Sequence, residues 1–214
     1  MVETRWLGRV RYHDALALQE ELVARKIADP SAPDSLLLLE HELVYTIGRT
    51  PDQSSLRDLS SLDHLIVQTN RGGQATCHGP GQLVGYPILD LRVRGQDLHA
   101  YLRVLEQIII ETAAHFRVTA ARREGLTGVW VEDRKLASIG VGVRRWISMH
   151  GFALNVTTEC LAGFARITPC GISDVQMTSL DREAGHALDV ESCAEVVAGI
   201  ASSLLRQNQV DQPA

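Results

Sequence analysis

The fold is decided by residues 129–156, which read VWVEDRKLASIGVGVRRWISMHGFALNV. Apolar and β-branched residues occur here in three runs, Val129–Val131, Leu136–Val143 and Met149–Val156, and short polar turns separate the runs. Runs of this length between turn residues are typical of strands that follow one another in a sheet. The stretch therefore predicts closely spaced strands on the C-terminal side of the chain's centre.

Helical patterns lie on both sides of this stretch. Apolar residues recur at the i, i+3, i+4 spacing of one helix face over Leu98–Phe116, and a similar pattern covers Val190–Leu205. Further elements are predicted upstream: a strand over Trp6–Val10, a helix capped by Asp14 and ended by Asp29-Pro30, and strands over Ser35–Glu40 and Val44–Ile47. Because helices are grouped between sets of strands, we expect an α+β fold with a mixed or antiparallel sheet packed with helices.

Length and composition limit the class of protein. The 214 residues, 45% hydrophobic and 22% charged, predict one globular domain over residues 1–206, with a frayed tail at 207–214. The net charge of −5 argues against a nucleic-acid or anionic-lipid partner. The longest aliphatic run, Leu36–Leu39, is too short to span a membrane, and no signal peptide is visible, so we expect a cytoplasmic protein.

Cysteines and histidines show no ligand spacing. The four cysteines are far apart in the chain, so we expect reduced thiols rather than disulfides: Cys77, Cys160, Cys170 and Cys193. The eight histidines are scattered without paired spacing. We therefore expect no metal site.

Residues Arg71–Pro87 contain five glycines and two prolines in seventeen positions. Glycine allows the backbone to approach a ligand closely, and free N–H groups there would suit a phosphate or an acyl carbonyl. The simpler interpretation is a turn-rich connection between two strands. Neither glycine fingerprint of nucleotide-binding loops is present.

Three other positions carry reactive side chains, and each allows two interpretations. Cys170 lies between Pro169 and Gly171, which would aim a thiol on a tight turn, although most free cysteines are small buried hydrophobes. Lys135 is the first residue of an apolar strand. Its side chain could be a solvated charge at the sheet edge or an amine beside a partly dry pocket. His150 could be a base, a hydrogen-bond donor or a packed imidazole.

These blocks, in this order, resemble the lipoyl(octanoyl) transferases. The resemblance extends from about Leu7 to about Leu180 and rests on four blocks: Arg71–Ile88, Lys135–Gly140, His150–Asn155 and Thr168–Gly171. It implies a fold similar to the catalytic domain of biotin and lipoate protein ligases. The chain departs from the family at Cys77, where an aromatic residue is usual, and at Glu42-Leu43, where prolines are usual.

The resemblance also implies a mechanism. Cys170 would take an octanoyl (or lipoyl) group from the phosphopantetheine thioester of acyl carrier protein, assisted by Lys135. The acyl-enzyme would then pass the group to a lysine on lipoyl domains of 2-oxoacid dehydrogenase complexes or on glycine cleavage H protein. The enzyme would be a monomer without ATP, metal or other cofactor. The acyl pocket would comprise Arg71, Gly72, Gly73, Gln74, Ala75, Thr76, Cys77, His78, Ser138, Ile139, Gly140, Gly151, Phe152 and Ala153, with His150 as an additional site residue.

Rival functions remain open at this point. An ATP-dependent lipoate or biotin ligase of the same fold would need no cysteine, and a carrier-protein or lipoyl-domain binding module would perform no chemistry. A cysteine thioesterase would release free acid. Within the transferase, Cys77 beside His78 is a second candidate nucleophile.

Overall fold

The computed structural model describes residues 2–50, 65–167 and 175–207. Its strands are β1 (Val2–Val10), β2 (Asp34–His41), β3 (Val44–Ile47), β4 (Leu65–Gln68), β5 (Ala75–His78), β6 (Gln82–Ile88), β7 (Ala121–Arg123), β8 (Leu126–Val131), β9 (Arg134–Arg144) and β10 (Ile147–Asn155). Its α-helices are α1 (Tyr12–Ala28), α2 (Leu98–His115), α3 (Leu180–Ala184) and α4 (Val190–Gln207), and short 3-10 helices cover Arg92–Arg94 and Thr158–Arg166.

The described strands form two sheets. Seven strands follow the order β1-β2-β6-β10-β9-β8-β7, in which β1 and β2 are parallel and the other neighbours antiparallel. The smaller sheet has the order β4-β3-β5, with one parallel and one antiparallel pair. The predicted α+β class with a mixed sheet is therefore confirmed.

One face of the large sheet carries the main core. Helices α2 and α4 pack there through fully buried residues such as Leu105, Ile109 and Val197, against Leu38 of β2 and Leu154 of β10. Asp97 caps α2 by accepting hydrogen bonds from two backbone N–H groups of the first turn. Burial of these apolar side chains is the main force that holds the helices to the sheet.

The opposite face of the sheet packs against α1. Leu37, Leu39, Val84 and Ala153 form a second buried cluster there with Ala15 of the helix. Helix α1 covers only part of this face, and the rest lies beneath the small sheet and the glycine-rich loop that precedes β5. The candidate site lies between these layers.

A buried carboxylate ties α1 to the sheet. Asp34 accepts from Arg94 at 2.6 Å and lies 3.1 Å from the Lys26 ammonium, and all three side chains are less than a tenth exposed. Its Oδ1 also accepts from the backbone N–H of Asp90. Because both cations are buried, the carboxylate's charge is needed to balance them.

Some predicted boundaries were wrong. Asp14 is not the cap of α1: the cap position is Arg11, and Asp14 lies in the first turn, where its carboxylate accepts from the Arg11 guanidinium. The sequence also gave no signal for β7, α3 or the 3-10 helix over Thr158–Arg166. Most of the predicted tail, from residue 208 on, lies outside the described residues. Among the described helices, none is both long and apolar enough to cross a membrane.

Candidate active site

A cavity opens between the two sheets, with about 490 Å³ of empty space, part of it open to solvent. Its walls come from β9 and β10 of the large sheet and from β5 with the loop before it. The start of α1 and the end of β6 complete them. The lining residues are Tyr12, Arg71, Gly72, Gly73, Gln74, Ala75, Thr76, His78, Tyr86, Ser138, Ile139, Gly140, His150, Gly151, Phe152 and Ala153.

The predicted pocket residues are therefore brought together, with one exception. Segments that are distant in sequence meet at this cavity, and His150, the additional candidate, lines it as well. The exception is Cys77, whose side chain packs with Tyr45, Phe164 and Ile167 in a separate buried cluster. Cys77 thus lies behind the cavity wall rather than at its surface.

Small side chains on the large sheet leave the space open. Ser138 pairs with Ala153 across β9 and β10, and Gly140 pairs with Gly151. The loop closes over Gly140: the N–H of Gly72 donates to a β9 carbonyl at 2.9 Å. A Cβ on Gly140 would lie only 3.0 Å from the Gly72 carbonyl oxygen, so glycine there allows the close approach.

Arg71 holds that loop against the small sheet. Its guanidinium donates to the carbonyl oxygen and hydroxyl of Thr46 at 2.7 and 2.8 Å, and to the Gly72 carbonyl at 3.0 Å. The side chain is buried, so its positive charge acts on the cavity through a medium that screens it poorly.

Two histidines that line the cavity, His78 and His150, and His41, whose ring lies beside that of His78, are buried and neutral at physiological pH. Burial lowers the pKa of His41 to about 4. Burial, followed by the charges of Arg71 and Arg49, lowers the pKa of His150 to about 4. Burial, then His41 and Arg71, holds the pKa of His78 well below its usual range. Neutral imidazoles can donate a hydrogen bond at one nitrogen and accept at the other.

A chain of hydrogen bonds connects His78 to the strand that carries Lys135. Gln82 accepts from His78 Nδ1 at 2.8 Å and donates from Nε2 to Asn155 Oδ1 at 3.0 Å. Asn155 in turn donates to the carbonyl of Thr178, whose N–H donates to the carbonyl of Lys135. Because the Gln82 oxygen faces Nδ1, the proton of His78 is on Nδ1. Nε2 is then an acceptor, and the Thr46 hydroxyl lies 3.5 Å from it.

Because of a register shift between β8 and β9, Lys135 does not lie on the face of the sheet that strict alternation along β9 predicts. Val129 pairs with Ala137, but the next residue, Trp130, pairs with Lys135, so β9 has an extra residue at this point. Paired residues share a face of the sheet, and consecutive residues do not. Lys135 is therefore on the same face as Trp130, with only 2% of its surface exposed.

The lysine side chain extends along β8 towards the cavity. A Cβ on Gly128 would lie 3.0 Å from Lys135 Cε and 3.5 Å from Nζ, so the lysine occupies the space of the absent side chain. The same Cβ would lie 2.6 Å from the Ala137 carbonyl oxygen. Ala137 is followed by Ser138, the first residue of β9 that lines the cavity.

The backbone of Lys135 pairs with the segment that follows the predicted nucleophile. Its N–H donates to Gln176 at 2.8 Å, and its carbonyl accepts from Thr178 at 3.0 Å, with Met177 directly beside it. Cys170, seven positions before Met177 in sequence, lies outside the described residues.

The described thiols are unsuited to nucleophilic attack. Burial raises the pKa of Cys77 and of Cys193 to about 12 each, and burial also raises the pKa of Cys160. A thiol with so high a pKa has almost no thiolate at neutral pH, and the thiolate is the nucleophile. No cluster that could hold a metal ion occurs in the described ranges.

Two tyrosines at the site were missed by sequence reasoning. The Tyr86 hydroxyl donates to His41 Nε2 at 2.8 Å, because His41 Nδ1 donates to the Val10 carbonyl. Tyr86 belongs to a block that carries the resemblance, so it could have been found. Tyr12 stacks on His78 with ring centroids 6.3 Å apart, and its buried hydroxyl has no hydrogen-bond partner among the described residues. A lone tyrosine at the start of a helix gives no sequence signal of such a role.

Comparisons with known proteins agree with this geometry. Residues 11–200 match the model of the lipoyl protein ligase A/B catalytic domain family. The chain is 53% identical over 207 residues to an octanoyltransferase of Geobacter sulfurreducens, covering 97% of this chain and 86% of that protein. It is 52% identical to an octanoyltransferase of Geobacter metallireducens, covering 91% and 89%.

Solved structures show the same fold at low sequence identity. The bi-partite lipoate protein ligase of Thermoplasma acidophilum matches with a TM-score of 0.73 at 15% identity, over 96% of this chain and 85% of that one. Biotin protein ligase of Aquifex aeolicus matches with a TM-score of 0.55 at 14% identity, over 97% and 70%. The predicted likeness to the biotin and lipoate ligase catalytic domain is confirmed.

Proposed function

Because this chain belongs to the lipoyl protein ligase A/B catalytic domain family and is an octanoyltransferase of protein lipoylation, we propose that it transfers the octanoyl group by way of a thioester on Cys170. The proposal is supported above all by Lys135, a buried lysine on the strand whose residues Ser138–Gly140 line a cavity of mostly apolar and glycine residues. That combination suits an acyl chain whose carboxyl end reacts next to a positive charge.

The first step exchanges one thioester for another. The Cys170 sulfur attacks the carbonyl carbon of octanoyl phosphopantetheine on acyl carrier protein, a new C–S bond forms, and the C–S bond to the donor breaks. The donor sulfur leaves as a thiol with the proton that Cys170 gave up. The bonds formed and broken are of the same kind, so the step is close to neutral in free energy.

Lys135 would make this step fast at neutral pH. A free cysteine has a pKa of about 8.5, so only a few per cent is thiolate at pH 7. A shift of about 1.5 units requires about 2 kcal/mol of preferential stabilisation of the thiolate. One ammonium a few ångströms away in a partly dry site can supply that amount.

The second step forms the product amide. The ε-amine of the acceptor lysine attacks the acyl carbonyl on Cys170, a C–N bond forms, and the C–S bond breaks. The proton lost by the amine returns to the Cys170 sulfur. Conversion of a thioester to an amide is downhill, so we propose that neither ATP nor any other cofactor takes part.

His78 is suited to receive that amine. Its Nδ1 is bonded to Gln82, its Nε2 lies 3.5 Å from the Thr46 hydroxyl, and the ring is neutral. A neutral imidazole does not repel an incoming lysine, and it can accept a hydrogen bond from the attacking nitrogen. We assign it the orientation of the acceptor amine.

The cavity would hold the hydrocarbon chain. Burial of apolar carbon stabilises the complex by about 0.8 kcal/mol per methylene, so the depth of the cavity discriminates between chain lengths. The cross-strand pairs Ser138–Ala153 and Gly140–Gly151 would form its floor.

The enzyme acts on lipoyl domains. Within that class we propose those of the 2-oxoacid dehydrogenase complexes and the glycine cleavage H protein as acceptors, acyl carrier protein as the donor, and a monomer in the cytoplasm as the working form.

The test is turnover of octanoyl carrier protein and a lipoyl domain by the Cys170→Ser variant. The proposal predicts loss of at least a thousandfold in rate, without rescue by octanoate and ATP. Cys193→Ala, which removes a thiol from the main core, is the matched control and should keep the wild-type rate per folded molecule. Wild-type turnover by Cys170→Ser would show that no thioester on Cys170 is needed, and rescue by octanoate and ATP would indicate ligase chemistry.

A further inference from the structure

The side chain of Lys135 is shaped by Gly128. Gly128 has a φ of +125°, which side-chain-bearing residues rarely adopt, and a Cβ there would lie 2.6 Å from the Ala137 carbonyl and 3.0 Å from Lys135 Cε. Only glycine leaves room for the lysine at this position. The location of the Gly128 backbone therefore determines where the ammonium can lie.

A buried acid on α2 fixes that backbone. Glu106 is fully buried, and its Oε1 accepts from the N–H of Gly128 at 3.2 Å. Its Oε2 accepts from Arg103 at 2.6 Å and from Arg122 at 3.0 Å. Because its charge is balanced and both oxygens are hydrogen-bonded, the carboxylate holds the Gly128 backbone in a fixed position. It takes no part in the two chemical steps proposed above.

An indole ring lies under the ammonium. Lys135 Nζ is 5.2 Å from the centroid of the Trp130 ring, and Trp130 is almost fully buried. The guanidinium of Arg123, on the strand at the other side of β8, is 5.3 Å from the same centroid. The face of an indole attracts a cation at this distance, and it does so without adding a negative charge that would cancel the cation's field.

We propose that Trp130 and Glu106 are positioning residues that act through Lys135. Trp130 holds the ammonium by its ring, and Glu106 holds the Gly128 backbone that makes room for it. Neither residue lines the cavity, so neither contacts the acyl chain. The inference rests on the proposed role of Lys135 beside Cys170.

The test is a double-mutant cycle on the rate of iodoacetamide alkylation of Cys170 at pH 7, read by peptide mass mapping in the full chain. Trp130→Leu should slow alkylation about fivefold, and Trp130→Phe, which keeps a ring, should restore most of the rate. Lys135→Ala should slow it about tenfold. In the Lys135→Ala background, Trp130→Leu should add no further slowing, because it acts only through the lysine.

Glu106 is tested in the same way. Glu106→Gln keeps an oxygen for the Gly128 N–H and should retain more of the alkylation rate than Glu106→Leu. Trp146→Leu is the matched control. It also removes a tryptophan that packs against the main core, but it should leave alkylation of Cys170 at the wild-type rate.

The outcomes separate the inference from the function on which it rests. If Lys135→Ala alkylates at the wild-type rate, the assigned role of Lys135 fails, and the positioning role fails with it. If Lys135→Ala slows alkylation of Cys170 but Trp130→Leu keeps the wild-type rate, the positioning role alone is overturned. Equal slowing by Trp130→Leu with and without Lys135 would show a general structural defect, which also overturns it.

Discussion

Acid should weaken this fold before its carboxylates titrate, because of the histidines around the cavity. His41 and His150 have a pKa of about 4 in the folded chain and about 6.5 when unfolded. Between these values the unfolded state binds protons that the folded state does not, so stability falls as pH falls. Their contribution is fully present above pH 6.5 and is lost towards pH 4.

The magnitude follows from the shift. At pH 5, about 1.5 pH units below the pKa in the unfolded chain, each of these two histidines lowers the free energy of unfolding by about 2 kcal/mol, at 1.36 kcal/mol per pH unit. The pair therefore lowers it by about 4 kcal/mol. His78 acts in the same direction, because its pKa is also lowered by burial. The lowered pKa of acids such as Asp90 and Glu183 removes stability only at more acidic pH, near and below 4.

The assay is urea unfolding at pH 7.5, 6 and 5. We expect the free energy of unfolding to fall by about 4 kcal/mol or more over this range. His41→Gln should reduce the fall between pH 7.5 and pH 5 by about 2 kcal/mol, the share of one histidine. A free energy of unfolding that is constant from pH 7.5 to 5, or a fall as large in His41→Gln as in the wild type, would refute the neutral-histidine account.

Three further changes have direct readouts. Gly140→Ala places a Cβ 3.0 Å from the Gly72 carbonyl, and overpacking of about 1–3 kcal/mol should raise the KM for octanoyl donor roughly tenfold or more; an unchanged KM in initial-rate kinetics would contradict this. Asp34→Asn leaves two buried cations without their counter-charge, and urea unfolding should show a loss of about 3–5 kcal/mol, whereas a loss below about 1 kcal/mol would disprove the pairing. Lys135→Ala should slow alkylation of Cys170 about tenfold at neutral pH, and a wild-type rate would remove the lysine's assigned role.

Local patterns predicted the elements whose signal is local. The apolar spacing of Leu98–Phe116 corresponds to α2 (Leu98–His115), and the runs within 129–156 correspond to β8, β9 and β10. In α2 most of the pattern is buried, as at Tyr101, Leu105 and Ile109, whereas Leu98 at its first position is exposed. The predicted strand at Trp6–Val10 exists but extends back to Val2 as the edge strand β1, because pairing with β2 continues that far.

The small sheet could not be predicted in the same way. Its central strand β3 pairs with β5 through Val44 and His78, which are 34 positions apart in sequence. Nothing in a four-residue strand specifies so distant a partner. The glycine-rich segment therefore allowed two interpretations, and the structure shows elements of both: a loop at the cavity and the two strands β5 and β6 that follow it.

Lys135 shows most clearly what the residues alone left open. A lysine at the start of an apolar strand is usually a solvated edge charge, yet this one is almost fully buried. The cause is the register shift between Val129 and Trp130, which depends on the pairing of two strands and has no mark in one sequence. The resemblance selected Lys135 as a site residue, and the register shift explains how the fold makes that possible.

The measurement that tests the acyl-enzyme most directly is intact mass after mixing the enzyme with octanoyl carrier protein alone. The account predicts that the chain gains one octanoyl group, that peptide mapping places it on Cys170, and that adding a lipoyl domain removes it at the rate at which amide appears. An enzyme that stays unmodified while still octanoylating the lipoyl domain, or that carries the group on another residue, would contradict it.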